Sequence, residues 1–174
     1  MVHEILIWPD PLLLARATPV GTVDDGIRRL VDDMFETMRS VEGTGLAAPQ
    51  IGVSKRVVVI DTSYEDPVEP FAMIDPEIVA KEGELRFDDA CLSIPGESAY
   101  VTRAARVRVR FLDRAGEHRE LEATGLTAVA IQHECDHLDG ILYVDYLSPL
   151  KRGLIRKKMQ LLRKRRARSE ADAG

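Results

Sequence analysis

The chain has 174 residues, 45% of them apolar and 30% charged, with two cysteines and a formal net charge of −5. That length supports one domain with its own core, and the composition is that of an ordinary soluble globular protein. Two cysteines cannot build a disulfide framework, and no stretch approaches the roughly 20 apolar residues of a membrane span. The first residues, Met1 to Ile7, lack a basic region followed by a long apolar run, and Pro9, Asp10 and Pro11 interrupt the little apolar character present. A signal peptide is therefore not expected, and the expected location is the cytoplasm. The charge is unevenly spread: residues 151–174 hold ten Lys or Arg and two acids, a local +8 that leaves −13 for the rest. An acidic body with a basic tail points to a polyanionic neighbour for the tail alone.

In chain order, Asp24 or Asp25 can cap a helix whose apolar residues Ile27, Leu30, Val31, Met34, Phe35 and Met38 recur at spacings of three and four, ending near Ser40. Gly43 to Gly52 reads as irregular, with short residues that let backbone approach a ligand. Arg56–Asp61 and Phe71–Ile74 read as strands separated by a surface loop, Tyr64 to Pro70. Ile78–Ala80 is expected to pair with Glu84–Phe87 across Gly83. Asp88 to Gly96 follows no periodicity. Arg106–Phe111 alternates, with Val107, Val109 and Phe111 on one face, and turns through residues 113–116 into a hairpin with His118–Ala123. A central helix begins near Thr124 or Gly125, apolar on nearly every side from Leu126 to Ile131, and ends at Gly140. A last helix starts near Ser148–Pro149 with Leu150, Leu154, Ile155, Met159 and Leu162 as its apolar stripe. The expected class is α+β, with antiparallel sheets packed around the central helix plus a C-terminal helix.

The central helix carries Gln132-His133-Glu134-Cys135-Asp136-His137. Four residues apart on a helix, His133 and His137 share a face and can grip one metal ion, and Glu134 can take a proton from a metal-bound water. The bland alternative, a surface helix with two unrelated histidines, conflicts with the apolar stretch Leu126 to Ile131. The third ligand has several candidates. Tyr143 stands where a metzincin needs His, and the only Glu beyond His137 is Glu170 in the basic tail. Cys135 lies about 200° round the helix from His133 and reads as core. His3, in an expected N-terminal strand, and His118, in the hairpin, remain open. Cys91, in the unexplained Ala90-Cys91-Leu92-Ser93 segment, is the best candidate, since Cys-His-His with a fourth open position is a catalytic arrangement. Residues 1–150 then read as a catalytic metallohydrolase domain and 151–174 as its basic C-terminal helix and tail.

Three segments, Gly43-Thr44-Gly45-Leu46-Ala47-Ala48-Pro49-Gln50, Cys91-Leu92-Ser93 and Gln132 to His137, resemble the three motifs of the peptide deformylase family in order and spacing. The likeness extends to Ile7–Leu12 and Asp145–Lys151, hence to nearly the whole chain, and the C-terminal helix is similar to that of the bacterial class. The resemblance implies that Cys91, His133 and His137 bind a divalent metal, commonly Fe2+, replaceable by Ni2+, Co2+ or Zn2+. It implies Glu134 as general acid/base and Gln50 with the Leu92 N–H as oxyanion donors, acting on N-formylmethionyl nascent peptides to release formate. It also implies ribosome contact, which Arg163, Lys164, Arg165 and Arg166 would supply through RNA phosphates.

Leu126, Val129 and Ala130, with Phe87, are candidates to line a methionine pocket, beside Thr44, Gly45 and Ala90. Two departures stand out: Asp89-Ala90 replaces the family's usual Glu-Gly, and Thr44 replaces a larger apolar residue. The shorter Asp89 can still reach a basic partner such as Arg103, and activity with a shifted side-chain preference is expected. Competing readings are a zinc peptidase, resting on His133, Glu134 and His137 alone, and an inactive ribosome-associated homologue. A monomer is expected.

Overall fold

Asp10 begins the first regular element of the computed structural model, which describes residues 1–173. Gly174 and the side chains of Glu170, Asp172 and Ala173, all in the expected tail, lie outside the described residues. The Asp10 carboxylate accepts the Leu12 N–H, and Pro11 occupies a first-turn position where a missing N–H costs nothing. The result is a single-turn helix, α1 (Pro11–Leu14), which no periodicity in the sequence signals. Residues 1–7 form no strand, contrary to expectation. They are held by separate bonds, His3 N–H to Thr37 Oγ1 and Leu6 N–H to the Gln50 carbonyl.

Helix α2 (Asp25–Ser40) starts where expected, with Asp24 accepting the Ile27 N–H at 2.9 Å, and it buries Val31, Met34 and Met38. The expected irregular segment is instead a short buried strand, β1 (Gly45–Ala47), running into a 3-10 turn at Ala48–Ile51. β2 (Val57–Ile60) is buried along its whole length, and β3 (Phe71–Glu82) runs well past Ile74. β4 (Leu85–Ala90) follows Gly83, yet β3 and β4 do not pair. β3 is bonded to β6 (Arg106–Leu112), with Ile78 opposite Val109, whereas β4 is bonded to β5 (Ser98–Arg103), with Phe87 opposite Val101. The turn at Gly83 therefore sends the chain from one sheet to another. β7 (His118–Thr124) completes the expected hairpin with β6.

The main sheet is antiparallel throughout, in the order β1-β2-β3-β6-β7, with β4-β5 as a separate pair. Helix α3 (Gly125–Leu138) is buried continuously from Thr127 to Cys135. Ala128, Ile131 and Cys135 pack with Val58, Val107 and Val109 of the main sheet. This is the α+β arrangement expected, with the sheets wrapped on a central helix.

Helix α4 (Pro149–Ala173) lays Ile155 and Met159 beside Trp8, Leu13 and Tyr143. Leu150 and Leu154 are 75% and 53% exposed, so they do not belong to the buried stripe. Leu154 sits about 100° round the helix from Ile155, whereas Met159 and Leu162 fall within about 40° of it, and only that second group faces the body.

Candidate active site

The first turn after β4 and the C-terminal half of α3 bring three metal-ligating side chains together. One ligand atom from each of Cys91, His133 and His137 lies within 4.8 Å of the others, and all three residues are buried. Cys91 Sγ is 3.2 Å from His137 Nε2. Tetrahedral bonds of about 2.0 to 2.3 Å place N and S ligands about 3.3 to 3.6 Å apart, so the Cys91–His137 pair stands near ligating separation and His133 is within reach of the same ion. His3 and His118 are not in the cluster. Cys135 is in the core, where burial pushes its thiol up to about 12.

The ring of His133 is fixed from behind. Its Nδ1–H donates to Asp89 Oδ1 at 2.8 Å, leaving Nε2 to face the cluster. Asp89 Oδ2 accepts the Arg103 Nε–H at 2.8 Å, and Arg103 Nη2 stands in ion-pair contact with it at 2.7 Å. Arg103 reaches Asp136 at 3.0 Å, and Asp136 also accepts the Tyr146 O–H at 2.8 Å. Asp89 therefore performs the pairing expected with Arg103 and orients a ligand as well, despite its short side chain. Burial alone would lift the Asp89 carboxyl, but His133 and Arg103 hold it below the usual carboxylate range. In the protein chain alone, burial works against a charged His133, yet Asp89 and Cys91 outweigh it and raise His133 well above its ordinary value. His137, buried and facing charged His133, is held well below.

Gln132 and Asp136, flanking the ligands, dock the helix on the β5–β6 junction. Gln132 exchanges bonds with the backbone of Ala104, accepting its N–H at 3.0 Å and donating to its carbonyl at 2.9 Å. Sequence reasoning missed both roles, although the polar side chains on an otherwise apolar helix were the available signal.

Glu134 is 4% exposed, and its Oε2 has no hydrogen-bond partner among the described residues. Burial pushes its carboxyl up to about 7. Gln50 is also buried. Its Oε1 accepts the Ala47 N–H at 2.8 Å, which fixes the amide so that Nε2 donates to Ser93 Oγ at 3.2 Å and lies 3.7 Å from Cys91 Sγ. The turn closed by Ile94 N–H on the Cys91 carbonyl leaves the Leu92 N–H outside the hydrogen bonds of the described residues.

These groups lie along a cleft of about 780 Å3. Thr44, Gly45, Gln50 and Leu92 line it from one side, and Phe87, Ala90 and Cys91 from β4 and its turn. Leu126, Val129, Ala130, His133 and Glu134 line it from α3. Arg166 also reaches this cleft and lies 3.8 Å from Glu4, while Arg163 is 3.4 Å from Asp10. Lys164 lines a neighbouring groove and Arg165 is exposed. The expected ribosome cluster is thus split between the body and solvent.

A buried Cys-His-His donor set, with a carboxylate beside it at the floor of an open cleft, is the arrangement of a mononuclear metallohydrolase. The family model for polypeptide deformylase matches residues 2–153. The chain is similar to the peptide deformylases of Azotobacter vinelandii, at 57% identity over 91% of this chain and 95% of the relative, and Alkalilimnicola ehrlichii, at 54% over 92% and 90%. A crystal structure of a peptide deformylase from Legionella pneumophila superposes with a TM-score of 0.89 at 45% identity, covering 97% of this chain and 99% of that one. The chain belongs to the polypeptide deformylase family, metal-dependent hydrolases that remove the N-formyl group from nascent peptides.

Proposed function

We propose that Cys91, His133 and His137 hold one divalent ion and that Glu134, Gln50 and Leu92 carry the hydrolysis of an N-formylmethionyl peptide to formate and a free amino terminus. The observation that carries this reading is the convergence of the three donors with Glu134 and the Gln50 amide in one buried site. A thiolate and two imidazoles suit Fe2+, with Ni2+, Co2+ or Zn2+ able to replace it. When bound, the ion supplies Lewis acidity to a water and to the formyl oxygen.

The protein's own groups do the rest. Glu134, buried beside the donor set and with Oε2 free of any hydrogen-bond partner among the described residues, can accept a proton from the attacking water and return it to the leaving amine. Gln50 Nε2 and the Leu92 N–H are the donors that stabilise the negative charge gathering on the formyl oxygen, each such donor being worth about 10² to 10³ in rate. The substrate methionine fits the apolar wall of Phe87, Leu126, Val129 and Ala130, with its backbone beside Thr44, Gly45 and Ala90. β1 and β4 are both sheet edges on the cleft, so an extended peptide can lie between them. Comparing formylated with unblocked peptides separates this reading from a zinc peptidase, which would cleave the unblocked ones.

The same reading joins residues 1–150 and the helix from 151 in one domain, supported by the burial of Ile155 and Met159 against Trp8. The enzyme acts as a monomer in the cytoplasm, where nascent formylated chains arise. Among the described residues no helix is long and apolar enough to cross a membrane. Lys164 and Arg165, facing outward, are the tail cations best placed for ribosomal RNA, with Arg163 and Arg166 partly engaged by Asp10 and Glu4. Deleting residues 163–174 should weaken ribosome binding in a salt-dependent way. Equal binding by both forms would remove the contact.

A further inference from the structure

The loop between β2 and β3 is attached to α3 in an unusual way. Thr124, at the helix N-terminus, makes no side-chain capping bond. The vacant role is filled from 61 residues away: Asp66 Oδ2 accepts both the Thr127 N–H, at 2.8 Å, and the Thr127 O–H, at 2.6 Å. Thr62 meets the same Thr127 hydroxyl at 2.7 Å. Between these anchors the loop is pulled tight, with Glu65 and Asp66 donating their N–H groups to the Thr62 carbonyl at 3.0 and 2.9 Å. Surface loops of this kind are normally the most variable and mobile part of a fold. Here both flanks of one short turn are tied to a single residue of the metal-bearing helix.

The residue at the centre of that turn is Tyr64. It is 66% exposed, yet it lines the catalytic cleft together with Leu126 and Phe87. Leu126 immediately precedes Thr127, the residue to which the loop is fastened. An exposed aromatic alone needs no explanation. An aromatic at the centre of a turn fixed by three side-chain and two backbone bonds has a defined place on the cleft wall.

We propose that Tyr64 is a substrate-positioning residue that forms the outer wall of the methionine pocket, held in place by the Asp66 and Thr62 bonds to Thr127. The inference rests on the pocket reading given above. An aromatic edge is a favourable partner for a thioether, so the contact favours methionine over small side chains as well as adding apolar area. Asp66 touches no substrate and acts through Tyr64.

The test is steady-state kinetics on metal-quantified protein with formyl-Met-Ala-Ser and formyl-Ala-Ala-Ser, using Tyr64→Ala, Tyr64→Phe, Asp66→Ala and the Tyr64→Ala/Asp66→Ala double variant. Tyr64→Ala should raise KM for the methionyl peptide about three- to tenfold, leave kcat within twofold, and narrow the preference over the alanyl peptide by a similar factor. Tyr64→Phe should restore both values. Asp66→Ala should raise KM likewise, with the double variant no worse than Asp66→Ala at equal metal content. An unchanged KM and preference in Tyr64→Ala would overturn the inference. Leu126→Ala then distinguishes the cases: a raised KM there would leave the pocket standing without Tyr64, and an unchanged one would remove the pocket as well.

Discussion

Gly45→Ala is the substitution whose effect the structure sets most closely. A Cβ at this position would lie 2.5 Å from Glu134 Oε1, 2.9 Å from its Cγ and 3.0 Å from its Cδ, whereas ordinary contact begins at 3.4 Å. The Gly45 backbone has no positive φ, so alanine meets no conformational obstacle and the clash is the whole effect. To restore contact distance the carboxylate must retreat by about 0.9 Å, and Glu134, 4% exposed, has little room for it. A displacement of that size at a group that transfers protons costs about 10² in rate, or about 2.7 kcal/mol of barrier. The ligands lie elsewhere, so metal content should not change. The assay is formate release at saturating formyl-Met peptide, with metal measured on the same sample. If kcat stayed within about threefold of wild type, then either Glu134 is not the proton carrier or its position is not critical, and the steric account of Gly45 fails.

The groups around the site give further expected outcomes. Asp89→Ala frees the His133 ring and should weaken metal affinity about 10- to 100-fold by competitive chelator titration. It also leaves Arg103 with Asp136 as its remaining partner, so stability should fall by about 3 kcal/mol in urea titration, the lower end for a broken buried pair. With an aromatic disulfide reagent, the metal-loaded enzyme should show no reactive thiol. Chelation should then expose one, Cys91, because the Cys135 thiol is buried in the core and pushed up to about 12. Glu134→Gln should make the metal-free protein more stable than wild type at pH 8 and no different at pH 4. Burial raises the Glu134 carboxyl to about 7, so the native state favours the protonated form and loses stability as pH rises from about 4.5 through 7. The neutral amide carries no such penalty, and equal urea midpoints at pH 8 would contradict it.

The elements that came out of the sequence correctly are those whose periodicity is undivided. α2 has one apolar face and an Asp cap, β6 alternates strictly before a Gly turn, and α3 is apolar through its first half. Strand pairing was less legible. Gly83 looks like a hairpin turn, but a turn residue does not say which edge each strand will satisfy, and here β3 and β4 enter different sheets. β5 was missed because Ser98 to Arg103 alternates only weakly, with Val101 its one large buried apolar residue. On α4, a spacing of four made Leu150 and Leu154 look equivalent to Ile155 and Met159, and only the docking of the helix shows which row is covered.

At the site, the chemistry-bearing residues were legible because their types and order are restrictive. The supporting geometry was not. That Asp89 orients His133, that Ala47 sets the Gln50 amide, and that Gly45 must lack a Cβ to leave room for Glu134 all depend on contacts between residues from 3 to 89 positions apart. Tyr64 read as an ordinary loop residue for the same reason.

The central claim is that Cys91, His133 and His137 hold the ion on which removal of the formyl group depends. It is tested most directly by formate release from a formyl-Met peptide by anaerobically purified protein of known metal content, beside Cys91→Ala. The prediction is turnover proportional to bound metal in the wild-type chain, with both metal and turnover lost in the variant. Metal-loaded protein that releases no formate, or Cys91→Ala with full metal and full rate, would contradict it.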